Sequence, residues 1–123
     1  MPGKSDHVRK AQHDERFVAS FDLDSTPYLD WVITALFYSG LHYVEAYFAT
    51  RSLHSADHRT RDSAVQRDPN LKQLYNDYSE LKNFSINARY YMVQFTAEEV
   101  RDLQPRLDAI RRHVSPYLTV APP

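Results

Sequence analysis

Apolar residues follow helical spacing along most of the chain. Between Trp31 and Ala49 they fall on every side of the predicted helix, which is the pattern of a central helix surrounded by others. Thr26 and Pro27 precede this run as an N-cap residue followed by proline at the first helical position. We therefore predict a buried central helix that begins near Tyr28.

The length of this apolar run raises the alternative of a membrane span. Asp30, His42 and Glu45 lie in it or beside it, and ionisable side chains are costly in hydrocarbon. Residues 1–16 are polar and lack the apolar core of a signal peptide. We therefore expect a cytoplasmic protein that does not enter the membrane.

Two less apolar helices are predicted on either side of the central one. A charged helix runs from about Val8 to Phe21. After the central helix, either Ser55 or Asp57 caps a short polar helix that ends near Gln66. In the first of these helices, Phe17, Val18 and Phe21 can cover one side of a neighbouring element.

The next helix repeats the start signal of the central one. Asp68 and Pro69 form a cap followed by proline, and apolar residues then recur at helical spacing. The helix either continues to Tyr90 or breaks at residues 83–85, where side chains that favour local backbone hydrogen bonds flank a phenylalanine.

The last helix begins with a capping box formed by Thr96 and Glu99. Its apolar stripe contains Pro105, which is expected to kink the helix or leave one carbonyl unpaired. The sequence therefore predicts an all-α, up-and-down bundle of four or five helices. The predicted organisation is a flexible N-terminus over residues 1–7, one helical domain over 8–115 and a flexible tail over 116–123.

Composition restricts the function classes. Lys and Arg number 15 against 16 Asp and Glu, so a nucleic-acid site must be a local patch. The absence of cysteine excludes disulfides and thiolate zinc sites. Nine Tyr, six Phe and one Trp exceed what one small core is expected to bury, so we predict that some of them form a dimer face.

Three groups of residues could carry chemistry, and the first lies on the central helix. Tyr38, His42 and Glu45 share one face because they are separated by four and by three residues. They form either a closed hydrogen-bond network in the core or a polar pocket in which His42 transfers protons. Spacing alone leaves both alternatives open.

The second group lies between Arg51 and Arg61, where several guanidinium groups and two imidazoles are close in sequence. Guanidinium groups and a helix start favour a phosphate site, and a solvated polar loop is the alternative. His54 and His58 have the spacing of a metal-binding pair. Because a predicted helix starts between them and no third ligand is evident, we predict no metal site.

The third group is the run from Asn87 to Tyr91, where an amide, a guanidinium and two phenols lie near a helix end. The Tyr rings could stack on a base while Arg89 contacts phosphate. Alternatively, Arg89 pairs with Glu45 or caps carbonyl groups inside the fold.

The order and spacing of these motifs resemble those of small HEPN-domain proteins over about Tyr28 to Val114. Each motif is short, so the resemblance rests on their succession. The motifs are Asp30-Trp31, Leu36-Phe37-Tyr38-Ser39-Gly40-Leu41-His42, Glu45-Ala46, His54-Ser55, His58 to Arg61, Asn87-Ala88-Arg89-Tyr90 and Phe95-Thr96-Ala97-Glu98-Glu99.

The resemblance implies a bundle of four or five helices, commonly dimeric, that belongs to a toxin–antitoxin or other defence system. Active family members are metal-independent endoribonucleases with an Arg and a His separated by four to six residues. Two pairs here have that spacing, Arg51 with His58 and Arg106 with His113. The first pair is preferred because other cationic donors surround it and a polar residue follows its Arg.

Three functions are therefore expected. The first is a module that binds RNA or nucleotide and needs no cofactor. It is expected to be a homodimer, with a cognate nucleotidyltransferase or antitoxin as its partner. The second is an endoribonuclease in which the His of either pair moves the proton and the Arg stabilises charge on the phosphate. The third is a non-catalytic helical adaptor. The predicted binding residues are His42, His58, Arg61, Arg89 and Tyr90.

Overall fold

The protein is an all-α bundle in a computed structural model that describes residues 2–55 and 57–119. The described residues contain no strand and no helix that is both long and apolar enough to cross a bilayer. The predicted fold class is confirmed. The helices are α1 (Lys4–Ala19), α2 (Leu29–Ala49), α3 (His58–Arg67), α4 (Tyr75–Tyr90) and α5 (Ala97–Leu118).

Helix α2 is the centre of the bundle and packs against α1, α4 and α5. Of its 21 residues, 13 are buried, which confirms the central helix predicted from the apolar run. Gly40 lies where α2 meets α4 and α5. A Cβ atom at this position would lie 3.4 Å from the side chains of Leu81 and Ile110, which is an ordinary van der Waals contact, so the three helices leave room here for no more than a methyl group.

The N-cap of α2 is Tyr28, two residues after the predicted cap Thr26. The Thr26 hydroxyl accepts the N–H of Tyr28 at 3.1 Å, and the helix begins at Leu29. Thr26 and Pro27 therefore form a turn before the helix, because the Tyr28 amide that the Thr26 oxygen satisfies lies before the first helical residue.

Both chain ends are more helical than the sequence predicted. Helix α1 begins at Lys4, inside the predicted flexible segment 1–7, and α5 continues through Pro116 to Leu118. The Lys4 ammonium donates to the carbonyl of Leu118 at 2.8 Å, which satisfies an acceptor that the end of a helix leaves free. Residues 120–123 of the predicted tail lie outside the described residues.

Two predicted helix caps are confirmed. The Asp57 carboxylate accepts the N–H of Thr60 at 2.8 Å, so Asp57 rather than Ser55 caps α3. At α5, Thr96 and Glu99 form the reciprocal capping box, with bonds of 3.1 and 2.9 Å. These local signals place both helix starts correctly.

Asp68 orders the connection between α3 and α4. Its carboxylate accepts the N–H of Asn70 at 2.8 Å, and a turn followed by a short 3₁₀ helix precedes α4, which was predicted to begin directly after Asp68. The hydroxyl of Tyr47 donates to Asp68 at 3.0 Å and accepts from Asn70 at 3.0 Å. This partly buried contact fixes the connection on α2, and α4 then runs without a break to Tyr90.

Candidate functional site

The polar residues of α2 contact three other helices. The sequence left open a network closed among Tyr38, His42 and Glu45, but each of these residues has a partner elsewhere in the fold. The pairs are Tyr38 with Arg89 of α4, His42 with His7 of α1, and Glu45 with Arg61 of α3.

The pair between Arg61 and Glu45 is buried. The Arg61 Nε donates to Glu45 Oε1, and the two side chains are only 11% and 6% exposed. A buried guanidinium requires a carboxylate partner, because an unpaired charge in the interior is strongly destabilising. The pair therefore fixes the start of α3 on α2. It also excludes the alternative in which Arg89 pairs with Glu45.

His58 lies one helical turn before Arg61 and accepts a hydrogen bond from it. The distance from Arg61 Nη1 to His58 Nδ1 is 3.1 Å, and the ring centroid is 5.9 Å from that of Phe37. Because guanidinium has only donors, His58 Nδ1 must carry a lone pair and the ring proton resides on Nε2. His58 therefore presents an N–H donor at Nε2.

The environment of His58 is positively charged. Burial lowers the pKa of His58, and repulsion by Arg61, Lys82 and Arg89 lowers it further, while Asp62 opposes the change. The imidazole is therefore neutral at pH 7. His58, Arg61, Lys82 and Arg89 are called the cationic cluster below.

Arg89 is the cation in this cluster that lacks a carboxylate. Its Nη1 donates to the hydroxyl of Tyr38 at 2.6 Å and its Nε to the carbonyl of Ser85 at 3.3 Å. Its guanidinium lies 5.3 Å from the ring centre of Tyr38 and 5.1 Å from that of Tyr90. Among the described residues, no ion pair neutralises it.

Lys82 is a member of the cluster that the sequence analysis missed. It pairs with Asp62 and so joins α4 to α3. Its position seven residues before Arg89 places both on one face of α4, and this spacing could have identified it. Since Glu45 and Asp62 neutralise two cations, the cluster retains the positive charge of Arg89.

His42 pairs with His7 on the α1 side of α2. Their Nδ1 atoms are 3.0 Å apart and the rings are stacked at 5.3 Å. Burial, and repulsion by His7, lower the pKa of His42 to about 4; Asp14 opposes this change, and Lys10 and Arg61 add to it. His7 was missed because it falls in the segment predicted to be flexible.

Within residues 2–55 and 57–119, no group of three or more His, Asp or Glu side chains has a metal-binding arrangement.

The structure does not bring Arg51 and His58 into contact. The Arg51 guanidinium lies 4.9 Å from the ring centre of Tyr47, whereas His58 packs near Phe37. Phe37 and Tyr47 are ten residues apart on α2, which corresponds to about 15 Å along the helix axis. Arg51 therefore lies outside the cationic cluster.

Arg106 and His113 also have separate partners. Arg106 donates to Asp77 at 3.2 Å, while His113 Nε2 contacts the carbonyl of Asn70 at 2.5 Å. Each of these contacts joins α5 to the region where α4 begins. Neither predicted Arg/His pair has its two side chains in contact with each other.

Two clefts adjoin the contact between Arg89 and Tyr38. One, of about 600 Å³, is lined by Arg89, Asp30 and the connection from α4 to α5. The other, of about 530 Å³, is lined by Tyr38, Trp31 and His42. The free cation of the cluster thus lies between two aromatic-walled clefts.

The sequence matches no model of a known protein family and no curated protein. Chemical inference about this chain therefore rests on its own residues. The feature that bears most directly on function is the cationic cluster with its flanking aromatic rings.

We predict that Glu45→Ala destabilises the fold by about 3–5 kcal/mol, because it leaves the Arg61 guanidinium buried without its carboxylate. Urea unfolding followed by circular dichroism measures the change. The matched control is Asp24→Ala, which removes the carboxylate of the exposed Asp24–Arg101 pair and should have little effect. Similar losses in the two variants would contradict the structural role of the buried pair.

We also predict that the free energy of unfolding falls as the pH decreases from 6.5 towards 4. The unfolded chain takes up a proton on His42 near pH 6.5, whereas the folded chain resists it until about pH 4. The loss across this window is about 2 kcal/mol, since the ring is partly exposed.

The control for this pH dependence compares two variants in the same titration. His42→Gln should flatten the dependence between pH 6.5 and 4, whereas His13→Gln, at an exposed position of α1, should leave it unchanged. An unaltered slope in His42→Gln would show that another group is responsible.

Proposed function

We propose that this chain is a HEPN-like helical module that binds the phosphate of RNA or of a nucleotide at the cationic cluster. The observation that carries the proposal is the placement of Arg89. Its charge is not neutralised by a carboxylate in the described residues, and it lies between the rings of Tyr38 and Tyr90 and close to His58.

The donors of the cluster suit a phosphate group. Arg89 retains guanidinium N–H groups beyond those used by Tyr38 and Ser85, and a guanidinium fork matches two phosphate oxygens. His58 adds the N–H at Nε2. Arg61 and Lys82 are held in place by their carboxylate partners, so Arg89 supplies the net positive charge of the cluster.

The aromatic rings beside Arg89 favour a ligand that carries a base. The Tyr90 side chain is 71% exposed, and Tyr38 lines an open cleft. Bases stack on such rings with little dependence on sequence. A phosphate at Arg89 with a base on Tyr90 uses both features, whereas a free phosphate ion uses only the first.

The hydrogen bonding of His58 supports binding over cleavage. A base that removes a proton from a ribose hydroxyl needs a free imidazole lone pair, but Nδ1 of His58 accepts from Arg61. The ring can donate to a phosphate oxygen while this contact persists. Proton abstraction by His58 Nδ1 would require the contact between Arg61 Nη1 and His58 Nδ1 to break.

The resemblance supports a wider biological proposal. We place the module in the cytoplasm as a homodimer that acts in a toxin–antitoxin or other defence system, with a cognate nucleotidyltransferase or antitoxin as its partner.

We predict that Arg89→Gln weakens binding of a mixed-sequence single-stranded RNA and of ATP at least about tenfold, which corresponds to the loss of one charge-assisted contact. Fluorescence of Trp31, the one tryptophan of the chain, reports on binding because its side chain is 58% exposed beside Tyr38. Adenosine, which lacks phosphate, should bind much more weakly than ATP.

The control variant is Arg59→Gln, which removes the same charge from an exposed position of α3 outside the cluster. It should reduce RNA affinity only slightly. Equal loss in the two variants would indicate diffuse attraction by surface charge, and no binding of RNA or ATP to the wild-type protein would remove the proposal.

We further predict that RNA incubated with the protein in EDTA stays intact. Fragment ends are examined for 2′,3′-cyclic phosphate with wild type, His58→Ala and His113→Ala. Cleavage by wild type that is lost in one of the two variants would establish the endoribonuclease alternative and identify its His.

A further inference from the structure

One end of the bundle exposes much apolar surface. It is formed by the connection between α1 and α2, residues 20–28, and by the connection between α4 and α5, Tyr91–Thr96, and we call it the loop end. Of the eight large apolar side chains that are exposed in the described part of the chain, only Leu53 lies at the other end. The seven at the loop end are Phe17, Tyr28, Trp31, Tyr90, Tyr91, Met92 and Val93.

Within the α4–α5 connection, the backbone of residues 92–95 is also unpaired. Tyr91 adopts an extended conformation, with φ −125° and ψ 147°, and residues 92–95 are neither helix nor turn. Within the described residues, no hydrogen bond engages the N–H or C=O groups of residues 92–95. An exposed apolar segment with free backbone donors and acceptors is a template for pairing with a strand of another chain.

We propose that residues 91–95 form the centre of an interface between two copies of this chain, which pair these segments as antiparallel strands about a two-fold axis. Antiparallel pairing of a segment with itself gives each outward N–H an outward C=O as its partner. The axis passes between the Val93 residues of the two copies, so that Met92 of each copy lies opposite Gln94 of the other.

A second copy fits this surface better than a charged partner. The run from Tyr90 to Phe95 contains no charged residue, so two copies can approach without placing like charges together. Its exposed side chains belong to the types enriched at the centres of interfaces, Tyr and Met, and Trp31 adds a third such type beside them.

The charges around the cleft at this end are self-complementary. Asp30 and Arg89 line the same cleft, and neither forms an ion pair within the described residues. A two-fold axis here gives each copy one free charge of each sign at the shared surface. A stable interface buries about 800 Å² from each partner, so it must also include Trp31 and Tyr28 around the paired strands.

Self-association is measured without RNA or nucleotide. The test of the proposed interface therefore does not depend on the phosphate site. Sedimentation equilibrium of the full chain at micromolar concentration should show a dimer. Val93→Asp places two carboxylates beside the axis and should raise the dimer dissociation constant at least about a hundredfold. The matched control, Leu53→Asp, makes the same kind of change at the opposite end and should leave the dimer intact.

A monomeric wild-type protein overturns the proposal. So does a dimer that Val93→Asp leaves unchanged, or one that Leu53→Asp dissociates equally. RNA binding measured on the proline variant that dissociates the dimer, described below, separates the two proposals, because that variant adds no charge to the cleft lined by Arg89. Far-ultraviolet circular dichroism of each variant confirms that the helices are retained.

The strand pairing itself is tested by proline at two adjacent positions. In an antiparallel ladder the N–H of one residue points to the partner strand and that of the next points away. One of the variants Val93→Pro and Gln94→Pro should therefore weaken the dimer about tenfold or more, and the other should not. Equal effects of the two variants overturn the pairing of backbones.

Discussion

The buried ion pair between Arg61 and Glu45 is the interaction on which the candidate site depends. Helix α3 has only two buried residues, Arg61 and Val65, and its only other ion pair to the bundle in the described residues joins Asp62 to Lys82. The requirement that a buried guanidinium keep its carboxylate therefore fixes the first turn of α3 against α2. That turn contains His58, whose tautomer is in turn determined by Arg61. The position of His58 in the site thus follows from the requirement that the buried Arg61 keep Glu45 as its partner.

Features of the fold that depend on neighbouring residues were predictable from the sequence. The apolar run identified α2, and the caps at Asp57 and Thr96 identified the starts of α3 and α5 because each cap is made within one helical turn. The Thr26 and Pro27 signal was less reliable, since a Thr oxygen can satisfy several nearby amides. The helical ends of the chain were not predicted, because the contact of Lys4 with Leu118 joins residues that are far apart in sequence.

The candidate site was predictable only in part. The sequence identified His58 and Arg61 as neighbours in one cationic segment, and Arg89 and Tyr90 as neighbours in another. It could not show that these segments approach each other, nor that Glu45 belongs to Arg61, because helix packing decides both. A motif spacing alone also selected Arg51, which the fold directs towards the ring of Tyr47. Spacing along a chain constrains distance only within one continuous helix.

Helix α4 continues without interruption to Tyr90, so Arg89 lies in its last turn and the unpaired segment begins immediately afterwards. A ligand that immobilises Arg89 also restricts the first residues of the segment that is proposed to pair with a second copy. Occupancy of the site and self-association then become thermodynamically linked, and each changes the affinity of the other by the same factor. Under the two proposals together, the assembly state of this small protein would follow the concentration of a phosphate ligand, and α4 would connect the two sites.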